Sequence, residues 1–228
     1  MAAPRVTEVG ECRVTTVKTG RWRQNTYIVN HQPTCDVIVI DPGEETPEVM
    51  EAIDTVGRPS LIILTHAHYD HVGGLAAVCG KYGLDFHMHS GDTKLLRRAP
   101  LYAMSFDRRV VTVPVGHVAV EETKLAWGGG AIGVMHTPGH TEGGVCYDTN
   151  GMCFTGDTLM CRLVGRSDLP GSSGQGLKQS IDALLAALDP DTLLFGGHGR
   201  PWPVADARDW WQANRDAAPA FDMEGAFG

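Results

Sequence analysis

The stretch "LIILTHAHYDH", Leu61 to His71, opens as an unbroken apolar run and closes by placing three histidines and an aspartate within six residues. Leu61, Ile62, Ile63 and Leu64 read as a short strand buried on both faces. Side chains alternate in extended chain, so His66 and His68 project the same way off the strand's end. The residues that follow, "VGGLAAVCGKYG", read as a helix stopping at Gly80 or Gly83. Asp70 then sits at a strand-to-helix switch, where open α/β sheets gather their ligands. His71 points about a third of a turn away from Asp70 once helix begins, so two ions sharing the segment is a simpler geometry than four donors wrapped around one. Neutral imidazole and carboxylate are the usual ligands of zinc and iron.

Composition sets the bounds. The chain has 228 residues, 43% apolar and 20% charged, which is the balance of an ordinary globular protein. A formal charge of -8 without a basic run argues against a nucleic-acid partner, because phosphate binding needs a positive face. The start "MAAPRVTEVGECRV" has no apolar export segment and no stretch approaches a membrane span, so the expectation is a soluble, cytoplasmic protein. The cysteines, Cys12, Cys35, Cys79, Cys146, Cys153 and Cys161, fall at irregular spacing without a CxxC pair and read as small hydrophobes in a reducing compartment.

"RVTTVKTG", "QNTYIVN" and "CDVIVIDPG" form a strand meander, and Pro47 to Gly57 reads as a helix with proline in its first turn and glycine at its end. "DFHMHS" reads as a short strand, "GDTKLLRRAP" as helix, Pro100 to Arg109 as a loop or lid, and "VVTVP" as strand-like. Two hairpins follow, one turning at Gly128 to Gly130 and one at Asn150–Gly151, the type I′ dipeptide. "LKQSIDALLAAL" is an amphipathic helix, "TLLFGG" a strand, and "VADARDWWQANRDA" a final helix. No low-complexity linker divides the chain, so residues 1–228 are expected to form a single domain. Strands in two blocks, each followed by helices, imply an α/β fold with two mixed sheets packed face to face.

Three more apolar runs end as the first one does. "AIGVMHTPGHT" ends on His136 and His140, "MCFTGDT" on Asp157 and "TLLFGGHG" on His198, each at a glycine that lets backbone approach a site. In this order, "THAHYDH", "TPGHT", "FTGDT" and "GHG" resemble the metallo-β-lactamase superfamily, and within it the glyoxalase II-like hydrolases; the likeness spans Asn25 to about Pro201 and includes "DPG" at Asp41 to Gly43. The resemblance implies an αββα sandwich and two divalent metal ions, zinc first, with iron or manganese as alternatives. It places His66, His68 and His140 on one ion, Asp70, His71 and His198 on the other, and Asp157 between them. His136 falls outside the motif and reads as structural. His31, His87, His89 and His117 read as surface or packing residues.

With two such ions the expected nucleophile is a bridging hydroxide formed near neutral pH, with Asp70 as its catalytic orienting group and proton acceptor. A thiolate leaves without acid help, so a small-molecule acyl thioester is the expected substrate, and a lactone also fits. The resemblance suggests a hydroxyacylglutathione, but the 30 residues after His198 are too few for the helical domain that completes glutathione binding in that family, and Asp168 stands where the longer enzymes carry a tyrosine. Arg166 is either an anion contact or the salt-bridge partner of a carboxylate such as Asp168. Trp22, Tyr102 and Phe106 either line an acyl pocket or pin loops to the core. Trp210 and Trp211 either cap the core or form a subunit contact. A mononuclear iron persulfide dioxygenase is the alternative, with His66 or His68, His140 and Asp157 as its facial set.

Overall fold

The run Leu61–Leu64 alternates between two interiors. Leu61 and Ile63 pack into a cluster with Ile38, Ile40, Tyr147 and Phe154, while Ile62 and Leu64 pack with Val39, Ile53, Val78 and Phe86. That double burial is the mark of a central strand covered on both faces. The computed structural model describes residues 3–121 and 124–221.

The first sheet has the order β1 (Arg5–Val9), β2 (Cys12–Thr19), β3 (Gln24–His31), β4 (Asp36–Ile40), β5 (Leu61–Ile63), β6 (Phe86–Met88) and β7 (Val118–Ala119). β1 to β4 pair antiparallel, as the meander predicts, and β4 to β7 pair parallel. The parallel half is linked by α1 (Pro47–Val56), by α2 (Tyr69–Val72) with α3 (Leu75–Tyr82), and by α4 (Thr93–Asp107). The second sheet contains β8 (Lys124–Trp127), β9 (Gly130–His136), β10 (Val145–Thr149), β11 (Met152–Gly156), β14 (Leu193–Gly196) and β15 (Trp202–Pro203), beside a small ribbon of β12 (Leu159–Met160) and β13 (Leu163–Val164). One core lies between the sheets, a second under α1, α3 and α4, and a third under α5 (Gly174–Ala187) and α6 (Val204–Asn214). The layers are αββα.

Local chemistry explains the boundaries. Thr46 caps α1 by accepting the Val49 N–H, with Pro47 in the first turn where no donor is needed. Asn150 and Gly151 turn the β10–β11 hairpin with φ of 48° and 75°, the left-handed pair that a type I′ turn requires. Trp211 is buried against α5 and donates its indole N–H to Asp182, so it caps a core. Among the described residues no helix is long and apolar enough to cross a membrane.

The structure corrects the sequence in three places. The single helix expected up to Gly83 is broken at Gly73–Gly74, where the Gly74 N–H donates to Pro42 O instead of continuing a helical ladder. "VVTVP" is not a strand: Val110 lies exposed, and pairing resumes only at Val118. The expected loop from Pro100 is helical to Asp107, because α4 continues through the proline. Leu96, Ala99 and Ala103 are buried at helical spacing, and that packing overrides the hydrogen bond lost at Pro100. Replacing Pro100 with alanine restores a donor to the turn and is expected to stabilise the protein by about 1–2 kcal/mol, raising the unfolding midpoint by ~2–6 °C. An unchanged or lower midpoint in a calorimetric scan would show that the helix is shaped to the proline.

Candidate metal centre

The four apolar runs end at one edge of the sandwich. His66 and His68 follow β5, Asp70 and His71 begin α2, His140 lies between β9 and β10, Asp157 follows β11, and His198 follows β14. Donor atoms of His66, His68 and His140 lie within 4.8 Å of one another, as do those of Asp70, His71 and His198. Asp157 stands between the two groups, with Oδ1 3.5 Å from His71 Nε2 and Oδ2 3.5 Å from both His140 Nε2 and His198 Nε2. All seven sequence-predicted donors are therefore brought together.

Four of the five rings are oriented by an outward nitrogen, whereas His68 Nδ1–H donates to His140 Nε2 at 2.9 Å. His66 Nδ1–H donates to Thr65 Oγ1, His71 Nδ1–H to Asp41 Oδ2, His140 Nδ1–H to Arg166 O and His198 Nδ1–H to Trp22 O. A histidine held this way keeps its other nitrogen as a lone-pair donor facing inward. His66 Nε2, His71 Nε2 and Asp157 Oδ1 are buried without a hydrogen-bond partner, an arrangement that costs free energy unless a cation meets them. Burial, reinforced by the neighbouring histidines, holds His66 and His68 well below the ordinary imidazole range, so both rings are neutral and able to serve as metal donors. Burial opposes the charge on Asp157, yet His198, His71 and His140 hold it well below the usual carboxylate range. Burial also opposes charge on His71, but Asp70, Asp157 and Asp41 overcome it and raise its pKa to about 9. Three carboxylates around one buried ring demand positive charge, and a divalent ion supplies it without a proton. The donor set fits the two ions.

Asp41 and Asp92 are the residues whose roles the sequence did not disclose. Asp41 follows β4, accepts from Thr65 N at 2.7 Å and from Thr65 Oγ1, and orients His71. Asp92 accepts from Ala67 N and Gly143 N, tying the loop of His66 and His68 to the loop of His140. The signal for Asp41 was present, since it too ends an apolar run ahead of a glycine; Asp92 sits in a helical pattern that gives no such hint. Gly197 answers a steric need: a Cβ there would lie 2.1 Å from Asp157 Oδ1 and 2.6 Å from His71 Cε1.

The donors open into a cavity of about 150 Å³, lined by His68, Asp70, His140, Asp157 and His198 on one side and by apolar groups on the other. Trp22, Tyr102, Phe106 and Arg166 all reach it, as do Tyr69, Leu95, Leu169 and Phe221, which sequence reasoning had not assigned. Trp22 donates its indole N–H to the Tyr69 hydroxyl, Phe106 stacks on Tyr69, and Phe221 stacks on His198 at 4.1 Å between centroids. Arg166 holds both oxygens of Asp168 at 3.0 and 2.9 Å, so the salt-bridge alternative is realised while the arginine still lines the cavity. His136 lies apart, stacked on His89 and donating to Glu142 O.

The family model for the metallo-beta-lactamase superfamily matches residues 19–198, a span that begins before the Trp22 loop and ends on His198. The chain belongs to the metallo-β-lactamase superfamily. A protein of Mycobacterium leprae is 34% identical to this superfamily member over 211 residues, 86% of this chain and 95% of that one. A hydroxyacylglutathione hydrolase of Aeromonas hydrophila is 33% identical over 174 residues, covering 75% of this chain and 59% of the enzyme. The crystal structure of TTHA1623 in a di-iron-bound form superposes with a TM-score of 0.77 at 32% identity, over 85% of this chain and 96% of that one. The two-sheet architecture is that of the metallo-β-lactamase fold.

Because Asp41 holds Thr65 and orients His71, Asp41→Asn is expected to weaken metal binding about 10–100-fold. Competition with a chromophoric chelator measures this; wild-type affinity in the variant would remove Asp41 from the centre.

Proposed function

We propose that this chain is a dinuclear metal-dependent hydrolase of acyl thioesters. The observation that carries the proposal is the pairing of two complete donor triads across Asp157 with an apolar cavity that opens directly onto them. In the proposal His66, His68 and His140 would hold one divalent ion and Asp70, His71 and His198 the other, with Asp157 placed between the two groups. Zinc or iron suits such nitrogen and oxygen donors. When bound, two such ions supply hydroxide near neutral pH and a Lewis acid for a carbonyl oxygen.

The chain's own residues then have separable tasks. Asp70 is the most exposed of the donor carboxylates, its side chain 18% accessible against 7% for Asp157, and it faces the cavity. With Oδ2 turned toward His71 and His198, its carboxylate orients the attacking water and accepts its proton. Trp22, Tyr102 and Phe106 enclose the acyl group and exclude water from the reacting carbon. Tyr69 is a weak acid toward a leaving group, its pKa raised by burial and by Asp70, and Arg166 is engaged with Asp168. A thiolate leaves unaided, so a thioester fits better than an amide. The likeness to a hydroxyacylglutathione hydrolase supports the same chemistry, although this chain aligns with only 59% of that enzyme. A cytoplasmic setting accords with cysteines that are free among the described residues.

Elemental analysis of protein purified without chelator is expected to give near two ions per chain. Near one iron and little else would favour the persulfide dioxygenase reading, in which Asp70, His71 and His198 would have no ion to hold. Asp70→Asn is expected to lower kcat for a thioester by about a hundredfold or more while the fold persists; wild-type turnover in this variant would overturn the assignment of Asp70.

A further inference from the structure

The cleft does not end at the metal centre. A second cavity of about 130 Å³ adjoins the first and shares His68, Leu95, Tyr102 and Pro170 with it. Its chemistry is different: Lys94 and Arg98 stand on its wall, one helical turn apart on α4. The same helix thus faces the metal cavity with Leu95, Tyr102 and Phe106 and the second cavity with two cations.

These cations have no structural task that the fold explains. Both are exposed, and among the described residues neither forms a salt bridge. They belong to the run "KLLRR", three cations without an acid, in a chain whose formal charge is -8. The carboxylates on the same wall are Asp92 and Glu142. Asp92 is buried, with each oxygen already accepting a backbone N–H, which leaves Glu142 as the exposed acid opposing the pair.

We propose that Lys94 and Arg98 form a subsite for the anionic end of the thiol that leaves, so that the substrate is a bipartite thioester with an apolar acyl half and a negatively charged thiol half. This rests on the thioester reading above. The acyl group occupies the aromatic chamber, the scissile bond lies at the corner formed by His68, Asp70 and Asp157, and the thiol half runs past His68 and Tyr102 to the cations. Hydrolysis breaks the acyl C–S bond and forms a C–O bond from water; the sulfur leaves as thiolate with its anionic group still on α4. A lysine offers a compact charge and an arginine a planar fork, so phosphate and carboxylate are both chemically suited.

The test uses metal-loaded full-length chain and one acyl group carried on three thiols: coenzyme A, bearing phosphates; glutathione, bearing carboxylates; and neutral N-acetylcysteamine. Wild type is expected to prefer one of the anionic thioesters, and its identity tells phosphate from carboxylate. In Lys94→Glu/Arg98→Glu that preference, as a ratio of kcat/KM values, is expected to fall at least tenfold, mainly through KM, as loss of ground-state binding requires. Lys94→Gln/Arg98→Gln should give a smaller loss in the same direction. A ratio that stays the same in the charge-reversed protein, or a wild type that handles the neutral thioester equally well, would overturn the subsite. Calorimetric titration with the free thiols separates the two ideas. If no thioester is hydrolysed, yet free coenzyme A or glutathione binds wild type and binds the reversed variant at least tenfold more weakly, the subsite stands and the hydrolase reading falls.

Discussion

The buried carboxylate of Asp41 is the constraint on which the centre depends. It is 1% exposed and takes a left-handed φ of 49°, uncommon for a residue with a side chain. Such a conformation persists where surrounding contacts over-determine it. Here they do: Thr65 N, Thr65 Oγ1 and His71 Nδ1 all converge on its two oxygens. Removing a charge from water is costly unless it is fully met, so the end of β4 and the end of β5 are locked into one arrangement. Thr65 immediately precedes His66, and His71 lies within the helical turn Tyr69–Val72. The clamp therefore fixes the two ends of the histidine segment together, and with them the faces that His66 and His71 present.

The remaining donors are bound to this frame by backbone hydrogen bonds and by the Asp92 carboxylate, which joins the loop of His66 and His68 to that of His140. Val145 N donates to Thr65 O and Asn25 N to Gly197 O, so both sheets share hydrogen bonds at the edge where the donors meet. Asn25 also donates its side-chain amide to Gly196 O and Gly199 O, holding the loop of His198. Preorganisation of this kind means that the ordering cost of the seven donors is met on folding. What the fold leaves uncompensated is electrostatic: His66 Nε2, His71 Nε2 and Asp157 Oδ1 are buried without a hydrogen-bond partner. A site that is sterically finished and electrostatically incomplete is what distinguishes a metal centre from a polar core network.

Much of this was legible because β-strand chemistry is local. A strand buried on both faces must be continuously apolar, so the point at which "LIIL" gives way to "THAHYDH" marks where the chain emerges from the core. The same logic located His140, Asp157 and His198, and it would have located Asp41 had it been applied to "VIVIDPG". What stayed hidden depends on tertiary packing. Helix through Pro100 follows from the burial of Leu96, Ala99 and Ala103 against the first sheet, a contact no local propensity encodes. Phe221 reaches the metal cavity because Val164 N donates to Pro219 O and Phe221 N to Val164 O, bringing a distant segment alongside β13. Asp92 matters only because two loops distant in sequence bring backbone amides to it.

Helix α4 shows how one element can serve two requirements at once. Its buried stripe of Leu96, Ala99 and Ala103 fixes it against the sheet, and the residues flanking that stripe face the cleft. Because residues i and i+4 share a face, Lys94 and Arg98 are side by side, and because i and i+7 do as well, Leu95 and Tyr102 form a continuous apolar strip next to them. The boundary between the aromatic chamber and the cationic annex is therefore a line drawn along one helix, rigid to the extent that the helix is packed. A loop over Pro100–Arg109 would have left the spacing between the two halves free to vary. A helix fixes it, so the apolar wall, the donor cluster and the pair of cations keep one spacing.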